Sequence, residues 1–329
     1  MEIVLASPRG YCAGVDRAID VVTIALDLYG PPVYVRHEIV HNRHVVESLR
    51  ARGAIFVDEL SGVPEGSTLV FSAHGVAPQV RAEAQARGLK PIDATCPLVT
   101  KVHLEALRFA KAGYQIALIG HAGHAEVEGT MGEAPEAMML VQSVDDVSRL
   151  AVKDPDRLAY LTQTTLSVDE TTAIIAALRA RFPNVRGPGR EDICYATTNR
   201  QAAVKQLATE CDLVLVVGSP TSSNSSRLRE VAEQTGAEAH LVESVDDVDA
   251  TWLMGKRAVG VTAGASTPEH LVRGLVAWLT AQGGGPTRDL EVVKEEMFFH
   301  LPSDLSKDLE ASGRAEDVLA ASGRTLRTR

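Results

Sequence analysis

Aromatic residues make up only 4% of this chain, too few for the cores of an aromatic-rich sandwich. The plentiful Ala, Val and Leu suit helices packed closely on parallel sheets. Positive charge is also short: 33 Lys and Arg against 43 Asp and Glu leave a net charge of -10. A nucleic-acid backbone would meet a repulsive average field, so no nucleic-acid role is expected. No run approaches the roughly 20 apolar residues of a membrane span. The opening MEIVLASPRG lacks the basic region and long apolar core of a secretion signal. The chain therefore reads as soluble and cytoplasmic, with no membrane role. No Walker A motif or Rossmann glycine fingerprint is present, so neither ATP nor a dinucleotide is suggested. Cysteine is scarce, with four in 329 residues. A chain of this length needs no disulfide staples, which makes metal or redox chemistry the better use for its thiols.

What is there is a repeated α/β pattern. The length predicts two or three domains, and short apolar strands alternate with amphipathic segments throughout. LVQSVDDV at 140–147 and LVESVDDV at 241–248 are nearly identical and mark an internal repeat. In the second repeat, IALIG leads to HAGHAEVEG, LVQSVDDV, LAYLT, QTTLS and then EDICYATTN with Cys194. In the third, LVLVVG leads to SPTSSNSS, LVESVDDV, AVGVT and AGASTPE, where the final strand is missing. The N-terminal IVLASPRGYCAG, a strand, a loop and a cysteine, supplies it. The first repeat runs from VYVRHEIVHN through FVDEL and LVFSAHGV to PIDATCPLV. The reading is an α/β protein of three pseudo-equivalent parallel-sheet lobes in a trefoil. The boundaries are 13–96, 97–193 and 194–281 plus 1–12, with a C-terminal tail at 282–329. That tail starts with a strand-like segment, EVVKEEMFFH, packed back on a lobe, and its last twenty or so residues are expected to be mobile.

Cys12, Cys96 and Cys194 each fall between a strand and a helix-like segment, where exposed amides and the helix dipole favour a thiolate or an anionic group. An isolated cysteine is most often a buried small hydrophobe, and Cys211, at the start of CDLVLVVG, fits that description. Three cysteines at matching places in three lobes do not. Their wide spacing excludes a local zinc-finger or ferredoxin motif, yet spacing alone leaves zinc and an iron-sulfur cluster equally open. Polar loops surround them. His41, His74, His121 and His124 lie near strand ends beside glycines, whereas His103 in a helical segment reads as a surface or packing residue. Ser222, Ser223, Asn224 and Ser266 read as an anion cradle or as helix caps and turns. Glu126 is a carboxylate within its Gly- and His-rich loop and suits a proton donor. Thr164 and Thr165 are either helix caps or hydrogen-bond partners of a substrate hydroxyl. A zinc hydrolase of phosphorylated substrates and a phosphate-ligand sensor remain rival classes at this point.

The motifs PRGYCAGVDRAI, VRHEIVHN, FSAHGV, DATCPLV, GHAGHAEVEGT, QTTLSVDET, DICYATTNRQ, SSNSSRL and TAGAST occur in that order over about residues 1–300. In this the chain resembles the LytB (IspH) family of 4-hydroxy-3-methylbut-2-enyl diphosphate reductases, which close the methylerythritol phosphate route to isoprenoids. The resemblance implies a 4Fe-4S cluster, one per chain, held by Cys12, Cys96 and Cys194, with one iron lacking a protein thiolate. It implies a diphosphate bound among His41, His74, His124, Ser222, Ser223, Asn224 and Ser266. Glu126 would supply protons, Thr164 would hold the substrate hydroxyl, and His124 would assist both. The partner it implies is an electron donor such as flavodoxin or ferredoxin. The products would be isopentenyl and dimethylallyl diphosphate.

Overall fold

The computed structural model describes residues 1–315. Strand β1 (Glu2–Ser7) leads into helix α1 (Ala13–Tyr29). A first lobe follows: β2 (Val33–Arg36), α2 (Arg43–Ala51), β3 (Ala54–Val57), β4 (Thr68–Phe71), α3 (Pro78–Ala86) and β5 (Lys90–Asp93). Helix α4 (Pro97–Lys111) passes to the second, with β6 (Gln115–Ile119), α5 (Ala125–Glu133), β7 (Met138–Val141), α6 (Val144–Arg149), β8 (Leu158–Thr162) and α7 (Val168–Arg181). Helix α8 (Tyr195–Glu210) passes to the third, with β9 (Leu213–Val217), α9 (Ser223–Thr235), β10 (Glu238–Val242), β11 (Ala258–Ala263) and α10 (Glu269–Ala281). Strand β12 (Thr287–Glu291) and helix α11 (Ser303–Ala311) complete the described chain.

The sheets run β3-β2-β4-β5, β7-β6-β8 and β10-β9-β11-β1-β12, with parallel pairing throughout. Each lobe therefore places its second strand outside its first and its third on the other side. In the third lobe the N-terminal β1 takes the fourth place, with Ile3 opposite Val259 and Leu5 opposite Val261. In the second lobe the fourth place holds only an isolated bridge, Ala159 to Arg186. The polar, proline- and glycine-bearing stretch PNVRGPGRED has too little apolar pattern to extend it.

Apolar alternation explains why both faces of a sheet are covered. In β9, Val214 and Val216 pack towards α8 and α9, whereas Leu213, Leu215 and Val217 pack towards α10. Both sets are almost fully buried, as parallel strands between helical layers require. The duplicated SVDD segments have a local cause as well. Ser143 with Asp146, and Ser244 with Asp247, form capping boxes that open α6 and the short 3₁₀ turn Val245–Asp247.

The tail differs in detail from its sequence reading. Its strand lies earlier, at Thr287–Glu291, and pairs with β1 as a fifth strand of the third lobe's sheet. The stretch expected to be that strand runs on without sheet pairing. After it, α11 emerges from the polar region, because Leu305 and Leu309 supply an apolar stripe that enters the first lobe's core beside α1. The Tyr29 hydroxyl donates to Asp308 Oδ2 at 2.6 Å. Expectations for the extreme C-terminus fall mostly on residues 316–329, outside those described. Among the described residues no helix is long and apolar enough to cross a membrane.

Candidate active site

Parallel sheets expose their loops and helix N-termini at the carboxyl ends of the strands, where ligands bind. Each lobe directs a loop after its first strand, a loop after its third, and a cysteine after its fourth position towards one pocket. The first-strand loops bring His41, His124 and Ser222; the third-strand loops bring His74, Thr164 and Ser266. Cys12, Cys96 and Cys194 complete the lining, together with Glu126, Ser223 and Asn224. Every residue singled out for metal, substrate or proton chemistry thus faces the same space. His121 does not line it. His103 is buried beneath Gly75, with its Nδ1 2.8 Å from Glu133 Oε1, and is a packing residue. Cys211 is buried at the end of α8, away from the pocket.

The three cysteines are the N-caps of α1, α4 and α8. All are free thiols. Cys194 Sγ accepts from Thr197 N–H at 3.4 Å and lies 3.1 Å from Thr197 Oγ1. Burial pushes the Cys96 thiol up to about 12 and the Cys194 thiol up to about 11, each raised further by neighbouring Cys12. Amides at the helix starts oppose this: Leu98 and Val99 point at Cys96, and Thr197 at Cys194. Deprotonated together, three sulfurs so close would be a costly arrangement unless a cationic group shared them.

The space between the sulfurs fits such a group. Gly14, at the start of α1, has no side chain; a Cβ there would sit 2.7 Å from Cys96 Sγ and 3.8 Å from Cys12 Sγ. Glycine in this turn lets the Cys96 sulfur pack against the start of α1, close to the Cys12 sulfur. Among the described residues no trio of His, Cys, Asp or Glu is arranged to hold a single metal ion. Cys12, Cys96 and Cys194 line one pocket from three helix N-termini and give it a set of soft sulfur donors.

Beside the thiols, three imidazoles pack together. His41 and His74 stack with centroids 4.2 Å apart, and His124 stands edge-on to them at 5.3 and 5.6 Å. The N–H of Glu126 donates to His124 Nδ1 at 3.1 Å, so the ring proton belongs on Nε2 and the free edge of the ring is a donor. Burial, and then the neighbouring histidines, hold His74 well below the usual imidazole range and His124 down at about 3. His41 Nδ1 lies 3.1 Å from the Glu38 carboxylate. Opposite them, Ser222 caps α9 and accepts from Ser225 N–H. Asn224 Oδ1 accepts from Ala265 N–H at 2.9 Å, and its Nδ2 donates to Thr197 Oγ1 at 3.3 Å. Ser266 Oγ donates to the His41 carbonyl at 3.0 Å, bridging third and first lobes. The structure thus uses Ser222 as a cap while leaving it on the pocket wall.

Glu126 lies buried at the start of α5. Its Oε1 accepts from Thr164 N–H at 2.7 Å and its Oε2 from Thr164 Oγ1 at 3.0 Å. Burial pushes the carboxyl up to about 7 against these bonds, and the nearby Asp192 carboxylate adds to the rise. The helix-cap alternative for Thr164 and Thr165 falls away: Ser167 caps α7 by accepting from Glu170 N–H. Sequence reasoning passed over Gly14, Thr197 and the apolar wall of Val15, Val40, Leu98 and Val99. Thr197 alone had a signal, because the third residue after a helix N-cap faces the cap side chain.

A family model described as LytB protein matches residues 3–280. The chain is 59% identical over 304 residues to a 4-hydroxy-3-methylbut-2-enyl diphosphate reductase of Ralstonia nicotianae, covering 92% of this chain and 94% of the relative. It is 56% identical over 309 residues to the reductase of the same description from Pseudomonas aeruginosa PAO1, covering 93% and 98%. Among solved structures, the E-1-hydroxy-2-methyl-but-2-enyl-4-diphosphate reductase of Plasmodium falciparum superposes with a TM-score of 0.92 at 40% identity, covering 95% of this chain and 99% of that one. A second, an (E)-4-hydroxy-3-methyl-but-2-enyl diphosphate reductase described as the terminal enzyme of the non-mevalonate pathway, gives 0.62 at 29% identity, covering 85% and 100%.

Proposed function

The chain belongs to the LytB protein family, and on that premise we propose how its pocket carries out reductive dehydroxylation of (E)-4-hydroxy-3-methylbut-2-enyl diphosphate. The protein is an oxidoreductase of the non-mevalonate pathway. The reaction takes up two electrons and two protons, releases the hydroxyl as water and yields isopentenyl or dimethylallyl diphosphate. The observation that carries this reading is the meeting of three cysteines, one per lobe, with histidines, hydroxyls and a buried carboxyl on one pocket wall.

Cys12, Cys96 and Cys194 would hold a 4Fe-4S cluster, one per chain, leaving one iron without a protein thiolate; the close approach of Cys96 Sγ and Cys12 Sγ to the same point beside Gly14 supports this. When bound, it supplies electrons singly and a Lewis-acidic iron for the leaving oxygen. The remaining work falls to the chain's own groups. His41, His74 and His124 face the diphosphate from one side, and Ser222, Ser223, Asn224 and Ser266 from the other. Hydroxyl and amide donors at the N-terminus of α9 suit a phosphate without an arginine clamp. Glu126, with its carboxyl raised to about 7, carries a transferable proton near neutrality. Thr164 Oγ1, bonded to Glu126 Oε2 and lining the pocket beside it, would hold the substrate hydroxyl and pass the proton. His124, fixed with its proton on Nε2, assists at the same end. Val15, Val40, Leu98 and Val99 keep bulk water from the reacting carbon.

The electrons come from a small redox protein such as flavodoxin or ferredoxin. We assign the enzyme to the cytoplasm, where a reducing environment preserves free thiols; the four unpaired cysteines support this. Residues 13–96, 97–193 and 194–281 with 1–12 act as the three lobes that enclose the substrate. Anaerobically prepared, dithionite-reduced protein should convert the substrate to both five-carbon diphosphates. No conversion by protein carrying its full iron and sulfide would refute the reading.

A further inference from the structure

Each helix that follows a cysteine carries a cation in its second turn, and each cation reaches away from its own cysteine. Arg17 on α1, after Cys12, donates to the carbonyls of Thr95 at 3.0 Å and Asp93 at 3.4 Å, directly ahead of Cys96. Lys101 on α4, after Cys96, donates to the carbonyls of Arg190 and Glu191 and pairs with Asp192 Oδ1 at 2.6 Å, ahead of Cys194. Arg200 on α8, after Cys194, donates to the carbonyl of Gly10 at 2.6 and 3.1 Å and to that of Tyr11 at 3.2 Å, ahead of Cys12. The three links close a ring from the first cysteine loop to the second, the third and back to the first.

We propose that Arg17, Lys101 and Arg200 are positioning residues that form a cyclic clamp, each fixing the loop that presents the next cysteine. The physical need is plain. The loops before Cys96 and Cys12 carry buried carbonyls that must find donors, and charge-assisted bonds are about twice as strong as neutral ones. A guanidinium also offers several donors in a rigid fork, which holds a loop in orientation as well as place. Without such ties the loops that present the thiols would be free to drift apart. Arg200 is fully buried, Arg17 nearly so, and Lys101 about a quarter exposed on its side chain, at 28%.

The chain leaving β12 gives the tail a part in this clamp. Glu295 accepts from Arg200 Nη1 at 3.0 Å and from Asn199 Nδ2 at 3.1 Å. The His300 carbonyl accepts from Arg17 Nε at 2.7 Å. One extended stretch thus supplies acceptors to two clamps, while Lys101 takes its carboxylate, Asp192, from the loop it holds. A buried guanidinium left without such partners would be costly, so the tail stabilises the site without entering it.

The inference rests on the reading of these cysteines as one ligand set only for its purpose; the clamps themselves can be tested without turnover. The amides of Cys12, Cys96 and Cys194 donate to the carbonyls of Ala265, Ala73 and Thr164 and so report on each loop by hydrogen exchange. Full-length Arg200→Gln, Arg17→Gln and Lys101→Met variants, purified anaerobically, should each exchange faster by roughly tenfold in the loop before the next cysteine. That means residues 10–12 for the first, 93–96 for the second and 190–194 for the third. Equal acceleration in all three loops, or acceleration at the cysteine of the substituted helix, would overturn the clamp. Should Arg200→Gln fail to fold, Lys101→Met carries the test alone, because its partly exposed side chain can be lost with the least damage. Iron and sulfide in the unsubstituted protein, measured on the same preparations, separate failure of the cluster reading from failure of the clamp.

Discussion

Gly14→Ala isolates the cysteine site from the fold that carries it. In an ordinary helix the change would stabilise by about 0.5–1 kcal/mol, because alanine loses less backbone entropy than glycine. Here the new Cβ would lie 2.7 Å from Cys96 Sγ and 3.5 Å from Cys96 Cβ. That is inside ordinary contact by roughly 1 Å, and overpacking of this kind costs about 1–3 kcal/mol. The two effects partly offset, leaving a loss well below the roughly 5–15 kcal/mol that holds a domain together. The fold should therefore survive. The thiol geometry should not, because metal-ligand distances tolerate only about 0.2 Å and the sulfur must move several times that. Iron and sulfide per chain after anaerobic purification should fall below about half of the wild-type value, with urea unfolding little changed. Gly274→Ala is the control: Gly274 lies in α10 with nothing within 4 Å of its would-be Cβ, so stability should rise and iron should stay. Full iron and sulfide in Gly14→Ala would refute the claim that the Cys96 sulfur, held in this position, is a ligand of a bound cluster.

Other expectations follow from the same geometry. Glu126→Gln should keep iron and sulfide but lower turnover by about a hundredfold or more. Because burial raises Glu126 to about 7, the donor loses its proton as pH rises through that value; wild-type turnover should fall on the alkaline side, and the glutamine variant should lack that limb. Cys194→Ser should lose the cluster itself, visible as missing iron and visible-range absorbance; unchanged iron would dismantle the ligand set. His74 and His124 are depressed in the folded chain, so the unfolded chain binds more protons below the ordinary imidazole value near 6.5. Stability without ligand should therefore decline as pH falls from 6.5 towards 3, measured by urea midpoints. Inorganic pyrophosphate should lessen that decline, and a midpoint blind to pyrophosphate at acid pH would remove the histidines from anion binding.

The repeated order of elements was legible because it rests on local rules. Apolar runs become strands, SVDD becomes a capping box, and Pro97 opens α4 behind Cys96. Three cysteines at equivalent places could then be read as neighbours despite their separation in the chain. The pocket residues near strand ends were legible for the same reason. Choices that depend on tertiary packing were not. Nothing in GHAGH tells which histidine faces the pocket, yet the structure makes His124 the N-cap of α5 and sends His121 elsewhere. Gly14 reads as one more small residue until Cys96 arrives from far along the chain. Arg17, Lys101 and Arg200 look like ordinary helix-surface charges, because their partners are backbone carbonyls of distant loops. Helix α11 was hidden in a polar tail because its two core leucines need the first lobe to pack against.

Elemental and sulfide analysis of the full-length protein, purified without oxygen, tests the central claim most directly. A single 4Fe-4S cluster on Cys12, Cys96 and Cys194 predicts about four iron and about four acid-labile sulfide per chain. Stoichiometric zinc without sulfide would contradict it.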